Sequence, residues 1–180
     1  MIDIKFKPEK NGLLINQENT LHVLLNISKE VEESPKEVER LPLNLSLVID
    51  RSGSMSGEPL DEAKKCASML VDRMNENDRL SVVTYESEAE VLLASQPVSH
   101  KERFKSQINS IRSGGMTALY DGWSLGAEEV AKTSKGNFIS RVLLLSDGQA
   151  NQGLTDDDVI ATHCQTMAEA GVTTSTYGLS

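Results

Sequence analysis

The sequence predicts an α/β domain built on a mostly parallel sheet, and three observations lead there. Leu45, Leu47, Val48 and Ile49 form a near-continuous apolar run, which suits a strand covered on both faces. Further strand-like runs at 80–85, 141–146 and 172–177 are separated by stretches whose apolar residues recur at helical spacing. The first of the buried runs stops abruptly at Asp50, where a turn takes over.

Composition bounds the rest. A chain of 180 residues implies one main core. Its formal net charge of -9 argues against a nucleic-acid-binding face, which would need clustered Lys and Arg. Most of these carboxylates serve solubility. The two cysteines, Cys66 and Cys164, fall in helical patterns where a small buried hydrophobe fits, so neither a disulfide framework nor a thiolate metal site is expected. No signal-peptide core and no membrane-length apolar run occur, which places the chain in the cytoplasm without a membrane partner. The sequons at Asn26 and Asn44 are then chance matches.

The elements follow in order. Residues 1–41 read as a β segment and linker. Leu21, Val23, Leu25 and Ile27 alternate with more polar positions, as in a strand with one covered face, and Leu13 to Ile15 could be its hairpin partner. His22, on the polar face, has no nearby His or Cys and reads as a strand residue. The charged stretch Lys29 to Arg40 reads as a solvated linker or hairpin tip. Residues 42–180 form the main domain. After the first strand, Pro59 suits a helix N1 position, and Ala63, Ala67, Leu70 and Met74 carry the helix to Asn75. A strand at 80–85 turns through Glu86-Ser87-Glu88 into a short antiparallel strand from Ala89 to Leu93. Phe104, Ile108 and Ile111 mark a helix that ends before Gly114 and Gly115. The next helix opens at Tyr120 or Asp121 and buries Trp123, Ala127, Val130 and Ala131, with Trp123 as a core anchor. Beyond the strand ending at Ser146, Thr155 and Asp158 resemble a capping pair for a helix that carries a structural His163, reaches Ala170 and closes at Gly171.

The stretch Asp50-Arg51-Ser52-Gly53-Ser54 carries the chemistry. A carboxylate and two hydroxyls stand at every second position after a buried strand, and a turn relaxed by Gly53 can point all three oxygens into one volume. Hard oxygens of this kind suit Mg²⁺ or Mn²⁺ and not zinc. Together with Ser113-Gly114-Gly115-Met116-Thr117-Ala118-Leu119 and Leu143-Leu144-Leu145-Ser146-Asp147-Gly148, the stretch resembles the von Willebrand factor A-type domain and its metal-ion-dependent adhesion site, in a bacterial-type version with an N-terminal β extension. The resemblance covers about residues 42–180 and implies Thr117 and Asp147 as further ligands beside Asp50, Ser52 and Ser54. It also implies a doubly wound sheet of order C-B-A-D-E, and a chain that stops before the family's last helix and edge strand.

The function implied is metal-dependent capture of a protein partner presenting Asp or Glu, without catalysis. Self-association through an exposed sheet edge is a second expectation. Enzyme readings fare worse. Met55 occupies the nucleophile position of the elbow-like Gly53-Ser54-Met55-Ser56-Gly57, no P-loop sequence occurs, and Asp156, Asp157 and Asp158 suit a helix start better than glycoside chemistry. The rival is a Mg²⁺-dependent phosphatase resembling haloacid dehalogenases, with Asp50 as nucleophile. Ser52 stands where its second Asp would act as acid, and a hydroxyl cannot fill that role.

Overall fold

The computed structural model describes residues 2–8, 23–29, 40–133, 137–148 and 150–179. It divides into two compact units, residues 1–39 and 40–180. In the first, β1 (Ile2–Pro8) and β2 (Val23–Lys29) pair antiparallel with Ile4 opposite Ile27. The strand expected from Leu21 is therefore present, but β1 is its partner; Leu13 to Ile15, His22 and residues 30–39 lie outside the described residues. Of Leu21, Val23, Leu25 and Ile27, the residues expected on the covered face, only Leu25 has a described side chain. Leu24 and Leu25 point to opposite faces of β2 and are 58% and 47% exposed, because a two-stranded ribbon has no second layer of its own to bury them.

The second unit contains β3 (Leu43–Asp50), α1 (Glu58–Arg73), β4 (Arg79–Tyr85), β5 (Ala89–Pro97), α2 (Lys101–Ser110), α3 (Leu119–Ala131), β6 (Ile139–Ser146), α4 (Asp157–Glu169) and β7 (Val172–Gly178). Its five strands lie in the order β5-β4-β3-β6-β7, with β5 antiparallel and the others parallel. The predicted sheet and its antiparallel edge strand are both present. β3 occupies the centre, where its alternating side chains feed two cores. Leu45, Leu47 and Ile49 join Ala63, Ala67 and Val71 of α1 and Phe104 and Ile108 of α2. Val48 points the other way, to Trp123, Ala127 and Val130 of α3 and to Val142 and Leu144 of β6. A strand sandwiched in this way must be apolar on both faces, which is why the run at 45–49 lacks strict alternation.

Local chemistry moves several boundaries. Pro59 is the second helical residue of α1, after Glu58, and α1 ends at Arg73. Asp156, not Thr155, caps α4: its carboxylate accepts from the backbone N–H of Asp158 and Val159, and Asp157 and Asp158 follow in the first turn. Gly171, at φ 90°, closes that helix as expected. Ala131 is exposed at the end of α3 rather than buried. Cys66 is also exposed, since it faces a groove of about 350 Å³ shared with Leu70, Leu143, Leu145, Tyr177 and Leu179 instead of a filled core. Trp123 is the buried anchor expected, its Nε1 donating to Thr174 Oγ1 at 2.9 Å. Asn44 is fully buried, its amide donating to the Val130 carbonyl at 2.8 Å, so its sequon cannot be read from the folded domain.

Candidate metal centre

Three loops meet at the carboxyl ends of β3 and β6, the crevice where open parallel sheets bind ligands. Asp50 ends β3 with 0% exposure, and each of its carboxylate oxygens is committed. Oδ1 accepts the Ser52 N–H at 2.8 Å, while Oδ2 accepts Tyr85 Oη at 3.1 Å and Ser146 Oγ at 2.7 Å. All three side chains, from β3, β4 and β6, point to the α3 side of the sheet. Burial and then the charge of Asp50 push the Tyr85 hydroxyl above its ordinary range, so it remains a neutral donor. The charge of Asp147 adds a smaller push in the same direction.

The first loop makes a single 3-10 turn, Gly53–Met55, pinned by the fully buried Met55. That turn brings Ser52 Oγ and Ser54 Oγ to 3.1 Å from each other. The separation suits two neighbouring ligands of an octahedral Mg²⁺, whose metal–oxygen bonds of about 2.0–2.1 Å set adjacent oxygens roughly 2.9 Å apart. Gly53 acts through its N–H, which donates to the Gly115 carbonyl at 3.1 Å, and Gly114 N–H returns a bond to the Arg51 carbonyl at 2.8 Å. This exchange seats the second loop, with Thr117 only 2% exposed, against the first.

The β4–β5 turn is the part of the site that sequence reasoning missed. Glu86-Ser87-Glu88 is the hairpin turn expected between β4 and β5, and it also joins the loops. Glu86 takes Arg51 Nη2 at 3.2 Å on Oε1 and the Ser87 N–H and Oγ at 3.0 Å on Oε2. Its carbonyl accepts Ala118 N–H at 2.7 Å. The Ser87 backbone and side-chain donors, with Arg51 contributing less, hold the Glu86 carboxyl below its usual range. Gly115 lies under this carboxylate at φ 76°, where an added Cβ would meet Glu86 Oε2 at 1.4 Å. Ser146 and Tyr85 were also overlooked as partners of Asp50; the only sequence signal for them is their place at the ends of buried strands.

Among the described residues, no three His, Cys, Asp or Glu side chains gather as a metal cluster. The donor set here is instead rich in hydroxyls. Asp50, Ser52 and Ser54 form one hydrogen-bonded group, the Thr117 loop is bonded to it through backbone, and Asp147 follows directly on Ser146.

Residues 44–180 match the family model of the von Willebrand factor type A domain. The chain is 41% identical over 117 residues to the uncharacterized protein sll0103 of Synechocystis, covering 65% of this chain and 28% of that protein. It is 32% identical over 166 residues to the uncharacterized protein YfbK of Escherichia coli, covering 91% of this chain and 28% of that protein. The chain thus spans under a third of the length of these relatives. Among solved structures, proximal thread matrix protein 1 of the mussel byssus, with a zinc-occupied MIDAS motif, superposes with a TM-score of 0.63 at 20% identity, over 77% of this chain and 38% of that one.

Proposed function

The chain belongs to the von Willebrand factor type A family, whose members commonly mediate protein–protein interaction, and we propose that it captures an Asp- or Glu-bearing protein partner through a divalent metal at its loop crevice. The observation that carries this reading is the paired Ser52 and Ser54 hydroxyls beside a buried, triply hydrogen-bonded Asp50. Ser52, Ser54 and Thr117 would hold Mg²⁺ or Mn²⁺ through neutral oxygens, and Asp50 and Asp147 would contact it directly or through water. A bound dication supplies an electrophilic position for the partner's carboxylate. Neutral hydroxyls leave much of that charge unquenched, so a partner carboxylate would be attracted to the open position, displacing a water that otherwise fills it. The mussel protein's zinc-occupied motif supports a metal in this fold, and the hard donor set here favours Mg²⁺ or Mn²⁺ over zinc.

The reading is non-catalytic. Phosphoryl transfer would require Asp50 to attack, yet both its oxygens are engaged by donors and Ser52 replaces the acid. Two unpaired cysteines suit a reducing compartment, and the same reading places the domain in the cytoplasm. Among the described residues no helix is long and apolar enough to cross a membrane. Self-association through the outer edge of β7 belongs to the proposal as well.

Thermal melts in rising Mg²⁺ test the metal. At a hundredfold excess over Kd, binding to the folded form adds about 2.7 kcal/mol, seen as a rise in Tm that Asp50→Ala and Ser54→Ala remove. Equal melts in EDTA and millimolar Mg²⁺ or Mn²⁺ would overturn the metal. Phosphomonoester turnover that Asp50→Asn abolishes would overturn the non-catalytic reading.

A further inference from the structure

The second and third loops are joined by a dipeptide, Asn151-Gln152, that the metal reading leaves without a role. Asn151 Oδ1 accepts the Thr117 N–H at 2.8 Å. The Asn151 and Gln152 N–H groups both donate to the Thr117 carbonyl at 3.2 Å. One dipeptide of the third loop therefore satisfies both backbone groups of a second-loop residue.

The dipeptide is itself anchored. Gln152 Nε2 donates to the Ser87 carbonyl at 2.9 Å, and Ser87 Oγ accepts the Met116 N–H at 3.1 Å. With Ala118 N–H on the Glu86 carbonyl, the β4–β5 turn holds the N–H groups of Met116 and Ala118, and the third loop holds that of Thr117 between them. Among the described residues, Gln152 Oε1 is buried without a hydrogen-bond partner, so its amide is oriented by the Ser87 contact despite a desolvation cost.

Thr117 is β-branched, so its χ1 has few choices once its backbone is fixed. Holding N–H and carbonyl together sets where the hydroxyl points. The geometry points to Asn151 as a positioning residue: it locks the Thr117 backbone so that the hydroxyl is presented to the metal without a rearrangement of the second loop. This rests on the metal reading above and adds to it a preorganised Thr117. In this role Asn151 acts through Thr117, whose N–H it accepts.

The test compares Asn151→Leu, which removes the acceptor at similar size, with Asn151→Asp, which keeps it. Three quantities are read: Mn²⁺ affinity from the electron paramagnetic resonance signal of free Mn²⁺, exchange of the Thr117 amide in metal-free protein, and the metal-free Tm. The leucine variant should bind Mn²⁺ about tenfold more weakly, the usual scale for an outer-shell partner, with faster Thr117 exchange and a metal-free Tm lowered by no more than about 3 °C. The aspartate variant should keep both Thr117 protection and Mn²⁺ affinity. Wild-type protein that binds Mn²⁺ together with a leucine variant that binds it equally well would overturn the positioning role and leave the metal site standing. Equal losses in both variants would also overturn it, since the acceptor is then not what matters. Failure of the wild type to bind Mn²⁺ at millimolar concentration would remove both readings.

Discussion

Asp78 illustrates what a single residue decides. Its carboxylate takes a forked pair from Arg40, at 2.8 and 2.5 Å, and the backbone N–H groups of Leu43 and Asn75, each at 2.8 Å. It thereby ties the entry of β3 to the turn after α1. Arg40, read from sequence as the end of a solvated linker, is part of this clamp and of the main unit. Burial opposes ionisation of Asp78, but Arg40 and the two N–H groups outweigh it and hold the carboxyl below its usual range. A depressed acid contributes stability that is present above its unfolded value of about 3.9 and lost as pH falls through its folded value. Asp78→Asn should therefore cost roughly 2 kcal/mol at neutral pH, the scale of hydrogen bonds to a charged group. Urea melts should show the gap to wild type narrowing below about pH 4. A gap unchanged at pH 3 would show that the ion pair is not its source.

Among the elements, α3 lies closest to the sheet, and two glycines permit it. A Cβ on Gly122 would meet the Tyr85 ring at 2.4 Å, and one on Gly126 would meet Val48 Cγ2 at 2.4 Å. They stand four residues apart, on one face of the helix. Elsewhere in a helix, Gly→Ala gains about 1 kcal/mol through propensity. Here Gly126→Ala should instead destabilise by about 1–3 kcal/mol through overpacking against β3, as measured by chemical denaturation. A stabilised Gly126→Ala protein would mean that the helix can lift off the sheet. Glu129 holds the same helix laterally: it is buried, accepts Ser95 N–H at 2.8 Å and pairs with Lys132. Across α3 and α4, Tyr120 Oη and His163 Nδ1 lie 2.9 Å apart, which gives His163 the structural place expected of it.

At the scale of the molecule, β7 is, with β5, one of the two outer strands of the five-stranded sheet. It pairs with β6 alone among the described residues, and Thr176, Tyr177 and Gly178 near its end are exposed. An unpaired edge offers a row of backbone donors and acceptors to another strand. The 180-residue chain should therefore show a concentration-dependent rise in mass by light scattering. Thr176→Lys, which places a charge on that edge, should reduce it. A monomer at all concentrations would refute the edge as an association surface. The net charge of -9 opposes close approach of two copies at low salt, so added salt should strengthen the association if it occurs through β7.

The order of residues alone specifies the sheet and the first loop. A strand buried on both sides must be apolar throughout, so 45–49 was legible as central, and Asp50, Ser52 and Ser54 stood out because their spacing places three oxygens in one turn. Helices α1, α2 and α3 were legible from apolar periodicity because each buries one face. Thr117 and Asp147 were reached only through resemblance, since no local period marks them. Tertiary structure alone decided the rest. Tyr85, Ser146, Glu86, Asn151 and Arg40 act across sequence separations of 34 to 96 residues. Their partners are set by the register of parallel strands and by the meeting of loops, and a hydrogen bond of that kind leaves no trace in the order of neighbouring residues. The exposure of Cys66 has the same origin: helical spacing says which side of α1 it occupies, but only the arrangement of the other elements says whether anything fills the space beside it.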